Sequence, residues 1–441
     1  MHAVAPEHQT TTRLIQPARN IEGSLRLPGD KSISHRYALL GGLAEGTTRL
    51  ANFSTGADCA SSLACVEALG AQVKRDGTSI EITGVARRFT PTKQPLDCGN
   101  SGSTMRMLSG LLAGQAPTPP APFTLVGDAS LSRRPMERIR KPLAQMGARL
   151  DLTDGHAPIN IHGAPLTAID YTTPIPSAQV KTALLFAGLQ AHGTTTVRES
   201  VRTRDHGELA LRAFGAQVDR TKDSVSIAGG QQLRAIEATV PGDLSSAAFF
   251  LCAAALFPGS NLLFDELGLN PTRATLLDVL TALGAHIGVL NLETKNDELV
   301  GTVQVNAPPA GLTGTTISGA LSAQLIDELP VLAAIGPYTQ QGIRIRDAKE
   351  LRVKESDRIA LVAANLRAMG AEVEEFDDGL DVPGGQTLHG ATIDAGGDHR
   401  IAMAFSIAAL RAQGDTLIRG AESAAISFPE FFDLLDRVAE R

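Results

Sequence analysis

Tryptophan is absent from this chain, and only three tyrosines and 14 phenylalanines stand among its 441 residues. A surface that stacks nucleic-acid bases on aromatic rings is therefore not expected. Cysteine is scarce: Cys59, Cys65, Cys98 and Cys252 are scattered, without CxxC or Cys/His spacing. That excludes a disulfide framework or a structural zinc site and fits a reduced, cytoplasmic setting. No long Lys/Arg run exists and the formal net charge is -7, so a nucleic acid or anionic membrane would find no basic stripe. A small anion is different, because a few converging cations hold it whatever the global sign. The longest apolar run, Ala247–Pro258, is too short to span a bilayer and reads as a buried helix. Met1 to Arg13 is polar and has no apolar h-region, so no secretory signal is read there.

Glycine is plentiful instead, at 43 residues, in a composition that is 43% hydrophobic and 20% charged. This is a globular balance, and the length exceeds one ordinary core, so two or more domains are expected. A phrase recurs along the chain: a helix, then Gly-Ala, then an alternating strand. It stands at Gly70-Ala71, Gly147-Ala148, Gly215-Ala216, Gly284-Ala285 and Gly370-Ala371. Glycine ends each helix because it takes the left-handed backbone at little steric cost. A second phrase precedes each, a polar cap running into a small-residue apolar helix. These caps begin at Gly29, Gly99, Ser177, Gly242, Ser318 and Gly396. The spacing reads as six units of roughly 65–85 residues, the last cut short near Phe428-Pro429-Glu430. Six units divide into two sets of three, with Val240-Pro241-Gly242 as the crossover. Arg13 to Leu27 is expected to supply a strand that the last unit lacks. One domain is then discontinuous, 1–28 with 242–441, and the other is 29–241.

Chemistry-bearing residues cluster at the caps. Gly29-Asp30-Lys31-Ser32-Ile33-Ser34-His35-Arg36 sets cations and hydroxyls at a helix start, with Ser32 and Arg36 on one face. Free N–H groups there attract an anion, and the helix dipole disfavours Lys31 unless something negative binds. Gly99-Asn100-Ser101-Gly102, continuing to Arg106, allows close backbone approach to carboxylate or phosphate oxygens. Neither stretch has the spacing of a Walker A loop. Arg134, able to grip such anions bidentately, stands before Pro135, which suits the first position of a helix. Leu351 to Arg358 reads as the start of a long helix ending at Gly370, with Lys354 and Arg358 on one face. A solvated helix carrying a Glu350–Lys354 ion pair is the plainer alternative there. Asp398 is a good N-cap, and Arg400 again puts a cation in a first turn. Lys31, Arg134 and Arg400 thus repeat one anomaly, which suggests a shared bound anion. Asp327-Glu328 reads as part of the fifth apolar helix, where a carboxylate either pairs with a cation or rises in pKa; both suit acid/base work. Taken singly, each motif also reads as a capped turn, a basic surface turn or a satisfied structural Asp.

Together, from about Ile15 to Arg437, these segments resemble the 5-enolpyruvylshikimate-3-phosphate synthase family of enolpyruvyl transferases. The resemblance implies an α/β fold of two domains, each of three βαβαββ units in an inside-out α/β barrel, with the active site in the interdomain cleft. It implies transfer of the enolpyruvyl group of phosphoenolpyruvate to the 5-hydroxyl of shikimate 3-phosphate. Addition and then elimination through a tetrahedral intermediate would release phosphate, with no metal or organic cofactor. By position, Lys31, Ser32, Arg36, Ser177, Ala178, Gln179 and Arg204 would hold shikimate 3-phosphate, with Asp327 and Lys354 at its 5-hydroxyl. Lys31, Gly102, Arg134, Gln179, Arg358 and Arg400 would hold phosphoenolpyruvate. Asp327 would take the hydroxyl proton, while Glu355 with Lys31 would handle the proton at the methylene carbon. The implied protein is a cytoplasmic monomer of aromatic amino-acid biosynthesis that meets small molecules and neither nucleic acid nor membrane. Gly102 stands where Ala in relatives accompanies glyphosate insensitivity, so sensitivity is expected.

Two positions depart from the family pattern. Ile426 stands where many members carry a Lys, which puts one phosphoenolpyruvate contact in doubt. Ser177-Ala178-Gln179-Val180-Lys181 differs from the Ser-Ser-Gln form of some relatives and leaves Lys181 without an assigned role. The nearest rival, the UDP-N-acetylglucosamine enolpyruvyl transferases, carries a Cys where Ala129 stands here. A non-catalytic anion-binding repeat protein would need neither Asp327 nor the Lys354-Glu355 pair. The net charge of -7 argues against the related RNA-phosphate cyclases.

Overall fold

The structure, a computed structural model, describes residues 11–86, 88–116 and 121–441. The first ten residues of the polar start, and of the expected 1–28 segment, lie outside the described residues. Each polar cap opens a helix: α1 (Lys31–Leu43), α2 (Gly102–Ala113), α3 (Ala178–Gly188) and α4 (Leu244–Leu256). The fifth cap opens a broken pair, α5 (Ala320–Gln324) and α6 (Leu329–Ile335), and the sixth opens α7 (His399–Ala409). Five of these starts are held by a side-chain acceptor. Asp30 takes the N–H of Ile33, Ser101 that of Thr104 and Ser177 that of Val180. Asp243 takes the N–H of Ser245, and Asp398 that of Arg400. Each such cap stabilises its helix by about 1 kcal/mol. By contrast α5 starts at Gly319, at φ 59° and without a side-chain cap.

The helices lie inside and the sheets outside. Every residue of α4 and of α7 is buried, as suits helices that are apolar on all sides. Small residues let them approach closely: a Cβ on Gly110 of α2 would stand 2.1 Å from the Ala183 carbonyl oxygen of α3. The glycines of all five Gly-Ala turns have positive φ, between +88° and +108°. Six open sheets result among the described residues, one to each unit. The second unit shows the plan. Leu96–Asp97 pairs in parallel with Phe123–Val126, which pairs antiparallel with His156–His162, and that strand in turn with Arg149–Thr153.

The units are closed by strands far off in sequence. Glu237–Thr239 runs parallel to Thr47–Ala51 and completes the first unit. Asn20–Arg26 runs parallel to Asn261–Gly268, and Thr12–Ile15 pairs antiparallel with Thr416–Arg419. The leading segment therefore gives two strands to sheets formed by residues beyond 242, where one was expected. Two separate hydrophobic cores follow. One runs from Ile33 to Val240, and the other joins Ile15, Ile21, Leu25 and Leu27 to residues from Leu244 onward. The chain crosses between them twice, side by side: Asp30 N–H donates to the Pro241 carbonyl at 2.8 Å, and Asp243 N–H to that of Pro28 at 3.1 Å.

Three local expectations are corrected. Asp327 and Glu328 lie in the break between α5 and α6, not inside a helix. Pro330 near the start of α6 explains it, because proline donates no N–H to residue 326 and its ring clashes with that carbonyl. The stretch before Arg358 is not helical to Gly370 either: a 3₁₀ turn covers Lys349–Val353, and an α-helix begins at Arg358 with Asp357 as its cap. Finally Pro135 precedes the helix Glu137–Gln145, whose cap is Met136, so Arg134 lies outside a helical first turn.

Candidate active site

The cation at the start of α1 is met by an anion of the protein itself. Lys31 Nζ lies 2.8 Å from Asp58 Oδ2, in the first turn of the helix Ala57–Ala68. Burial disfavours the Lys31 charge, but Asp58 and Glu355 raise its pKa above the ordinary value. One turn on, Arg36 Nη1 donates to the Ser32 carbonyl at 2.7 Å, and Nη2 to Thr182 Oγ1 of α3 at 3.0 Å. Burial pulls Arg36 down to about 10, so an added anion there would be favoured. Ser177 caps α3, Ala178 opens it, and Gln179 reaches α2, donating to Ser103 Oγ at 2.9 Å. Gln179 also accepts from Arg106 Nη1 at 2.6 Å. Arg134 donates to Asn100 Oδ1 at 2.6 Å. A Cβ on Gly102 would stand 3.2 Å from Arg134 Nη1 and 3.3 Å from Arg106 Nη1. Two guanidinium groups therefore converge over the start of α2.

Of the candidate proton carriers, the two carboxylates come from residues beyond 242 and Lys31 from the other half. Asp327 Oδ2 is 2.5 Å from Arg204 Nη2, and its Oδ1 is 3.5 Å from Lys354 and 3.6 Å from Arg358. Arg400 donates to the Asp327 carbonyl at 2.7 Å. Burial alone would raise this carboxyl, yet Lys354, Arg204, Arg400 and Arg358 hold it well below the usual carboxylate range. Glu355 lies 2.6 Å from Arg358 and 3.2 Å from Arg134, and these two overcome burial to lower it in the same way. Arg358 is fixed in turn by Asp398, at 2.8 Å from Nε. His399 is buried next to Lys31 and Arg400; burial first, then Lys31, brings it down to about 3, so it is neutral at pH 7. The result is Asp327 and Glu355, both ionised, among six cations drawn from both halves of the chain, with Asp58 and Asp398 pairing Lys31 and Arg358. Such a site can bind two small anions and move a proton between them. A groove of about 880 Å³ lies elsewhere, lined by Arg49, Lys74, Glu237 and Lys295 and by none of these residues.

A profile of the family EPSP synthase (3-phosphoshikimate 1-carboxyvinyltransferase) matches residues 15–435. The 3-phosphoshikimate 1-carboxyvinyltransferase of Koribacter versatilis is 65% identical, over 97% of this chain and 99% of that one. The chain belongs to the EPSP synthase family. The enzyme of the same name from Solibacter usitatus is 52% identical, over 97% of this chain and 99% of that one. EPSP synthase from Acinetobacter baumannii superimposes with a TM-score of 0.85 at 37% identity, covering 98% of each chain. The enolpyruvyl transferase NikO from Streptomyces tendae, at 21% identity, shares the fold, with a TM-score of 0.77 over 96% of each chain.

Within this EPSP synthase fold, the expected site residues fall into two groups. Lys31, Gly102, Arg134, Gln179, Arg204, Asp327, Lys354, Glu355, Arg358 and Arg400 sit in the network just described or against it. Ser32, Arg36, Ser177 and Ala178 flank it on α1 and α3. Arg352 turns away to Asp357 and Glu375, and Glu350 pairs with Arg138 at 2.9 Å rather than with Lys354. Lys181 is fully buried between Glu199, at 2.9 Å, and Glu208, at 2.8 Å. It therefore braces α3 and does not replace the Lys absent at Ile426. Arg106 was left without a role in the sequence, although it is one helical turn after Gly102 and so shares its face. Burial lowers it to about 9, with Arg138 and Arg134 adding repulsion. Among the described residues no group of three or more His, Cys, Asp or Glu could hold a metal.

Proposed function

We propose that this chain transfers the enolpyruvyl group of phosphoenolpyruvate to the 5-hydroxyl of shikimate 3-phosphate and releases phosphate. The observation that carries the reading is the pairing of Asp327 and Glu355 with cations of both halves. Residues 29–241 form one domain and 1–28 with 242–441 the other, with the reaction in the cleft between them. Lys31, Ser32, Arg36, Ser177, Ala178, Gln179 and Arg204 bind shikimate 3-phosphate. Lys31, Gly102, Arg134, Gln179, Arg358 and Arg400 bind phosphoenolpyruvate, with Lys354 beside the reacting hydroxyl. When the 3-phosphate draws Arg204 to itself, Asp327 loses its nearest partner and its affinity for a proton rises. Asp327 then takes the 5-hydroxyl proton as that oxygen adds to carbon 2 of phosphoenolpyruvate. Lys31, the protonated member of the Lys31 and Glu355 set, supplies the proton that these two residues bring to the methylene carbon, making it a methyl group. Elimination reverses that proton transfer as the C–O bond to phosphate breaks, which leaves the enol ether. The converging cations stabilise charge on the carboxylate and the departing phosphate.

Phosphate release with shikimate 3-phosphate and phosphoenolpyruvate tests this, with UDP-N-acetylglucosamine as the rival acceptor. Release only with the rival would overturn it. With Gly102 in place, glyphosate is expected to compete with phosphoenolpyruvate, and inhibition without competition would count against that pocket. The proposed protein is a cytoplasmic monomer. Its four cysteines are all free and buried, and no helix among the described residues is long and apolar enough to cross a membrane. A sedimentation experiment giving a dimer mass would remove the monomer.

A further inference from the structure

Two segments meet across the cleft, residues 127–138 from one side and 349–357 from the other. Three contacts join them. Ser130 Oγ donates to the Glu355 carbonyl at 3.2 Å, Arg134 lies 3.2 Å from the Glu355 carboxylate, and Arg138 Nη1 donates to Glu350 Oε1 at 2.9 Å. The second runs between residues proposed to handle substrate, so it must rearrange when phosphoenolpyruvate takes Arg134. The third includes none of them, although Lys354 also acts on Glu350 and helps keep it ionised.

We propose that the Arg138–Glu350 pair is a latch, holding segment 349–357 against the opposite half and so positioning Lys354 and Glu355 for reaction. Its two side chains are 21% and 27% exposed, so solvent and salt screen them less than an open surface pair. Both ends stand in regular structure. Arg138 is in the first turn of the helix Glu137–Gln145, and Glu350 is in the 3₁₀ turn Lys349–Val353. Lys354 to Ser356 are the irregular residues between that turn and the Asp357 cap. Glu350 fixes them upstream as Asp357 and Arg358 fix them downstream. The other ion pairs across the cleft, Arg204–Asp327 and Arg134–Glu355, run between residues proposed to handle substrate, so bound anions compete for their arginines. The Arg138–Glu350 pair lies outside the pocket and keeps its attraction when those pairs rearrange. Arg138 also stands close enough to Arg106 to disfavour its charge, and Glu350 neutralises Arg138 at that point.

This inference rests on the enolpyruvyl-transfer reading. An enzyme latched only part of the time binds substrate more weakly in proportion, while its saturated turnover persists. R138Q and E350Q should each raise KM for phosphoenolpyruvate about fivefold, with kcat within about twofold of the parent. R138Q/E350Q should be no worse than either single change, and the swap R138E/E350R should recover most of the loss. A mere loss of packing would not be restored by the swap. Unchanged KM in both single variants, or effects that simply add in the double, would overturn the latch. Wild-type protein that releases no phosphate would sink the functional reading instead. The latch is then read by small-angle scattering of unliganded protein, where R138Q should be more expanded than the parent and identical curves would refute it.

Discussion

The two halves of the cleft are built from one repeated unit, yet they offer different chemistry. Residues 29–241 turn cations and neutral donors towards it: Lys31, Arg36, Arg134, Gln179 and Arg204. Residues beyond 242 add cations too, and they bring the two carboxylates proposed to act on substrate, Asp327 and Glu355, whereas Asp58 of the first half is paired with Lys31. The difference comes from where the repeat fails. In the first half the three cap helices are continuous and side-chain capped. In the fifth unit the helix is uncapped at Gly319 and broken at Asp327, and the next connection stays irregular up to Asp357. In the proposed reaction the regular repeats would supply binding walls, and the irregular one would place the two reactive carboxylates. Carboxylates of the first half, such as Glu199 and Glu208, are spent on holding Lys181.

The sharpest way to break this contrast is Asp327→Ala. We expect turnover to fall about 10³-fold, while shikimate 3-phosphate binding measured by calorimetry stays within a few-fold; near-normal turnover would remove the division of labour. Next comes Lys181→Met, which strands Glu199 and Glu208 without their buried partner. It should cost about 3 kcal/mol in urea unfolding, and a loss below about 0.5 kcal/mol would mean that these carboxylates are not structural. Arg134→Ala should raise KM for phosphoenolpyruvate about thirtyfold and leave shikimate 3-phosphate affinity close to the parent. Equal losses for both substrates would blur the two pockets into one.

The smallest effect concerns one histidine from each half. His35 on α1 and His399 on α7 are both held below the ordinary histidine range by burial, His399 to about 3. The unfolded chain binds these protons near pH 6.5, while the folded chain does not. Stability is therefore complete above pH 6.5 and falls as pH drops towards the folded values. Each histidine contributes up to about 1.4 kcal/mol per pH unit to that slope. Urea unfolding between pH 7 and 5 measures it. His399→Gln should make stability fall less steeply as pH drops, and an unchanged slope would show that His399 already carries a proton when folded.

The repeat count and the caps could be read from sequence because they are local. A glycine after a helix and an Asp or Ser before one act on neighbouring backbone. Asp327 was misread as helical although Pro330, three residues on, carried the signal of a break. Asp357 likewise marked the true helix start after Lys354 and Glu355. What no local pattern carries is partnership across the chain. Arg106 meets Gln179 across 73 positions and Arg138 meets Glu350 across 212. The side-by-side crossings at Gly29 and Gly242 are of the same kind, since only the folded chain brings them together.

Those crossings impose an order on synthesis. Residues 29–241 contain every strand their own three sheets need, because Glu237–Thr239 arrives last to complete the first unit. Asn20–Arg26, made much earlier, has no parallel neighbour until Asn261–Gly268 has left the ribosome. The leading strand thus waits as an open edge while the segment after it folds. A nascent chain arrested so that about 260 residues are exposed should protect residues 29–241 from protease and leave the leading segment open to cleavage. Asn20–Arg26 is thus made before residues 29–241 and finds its place after them.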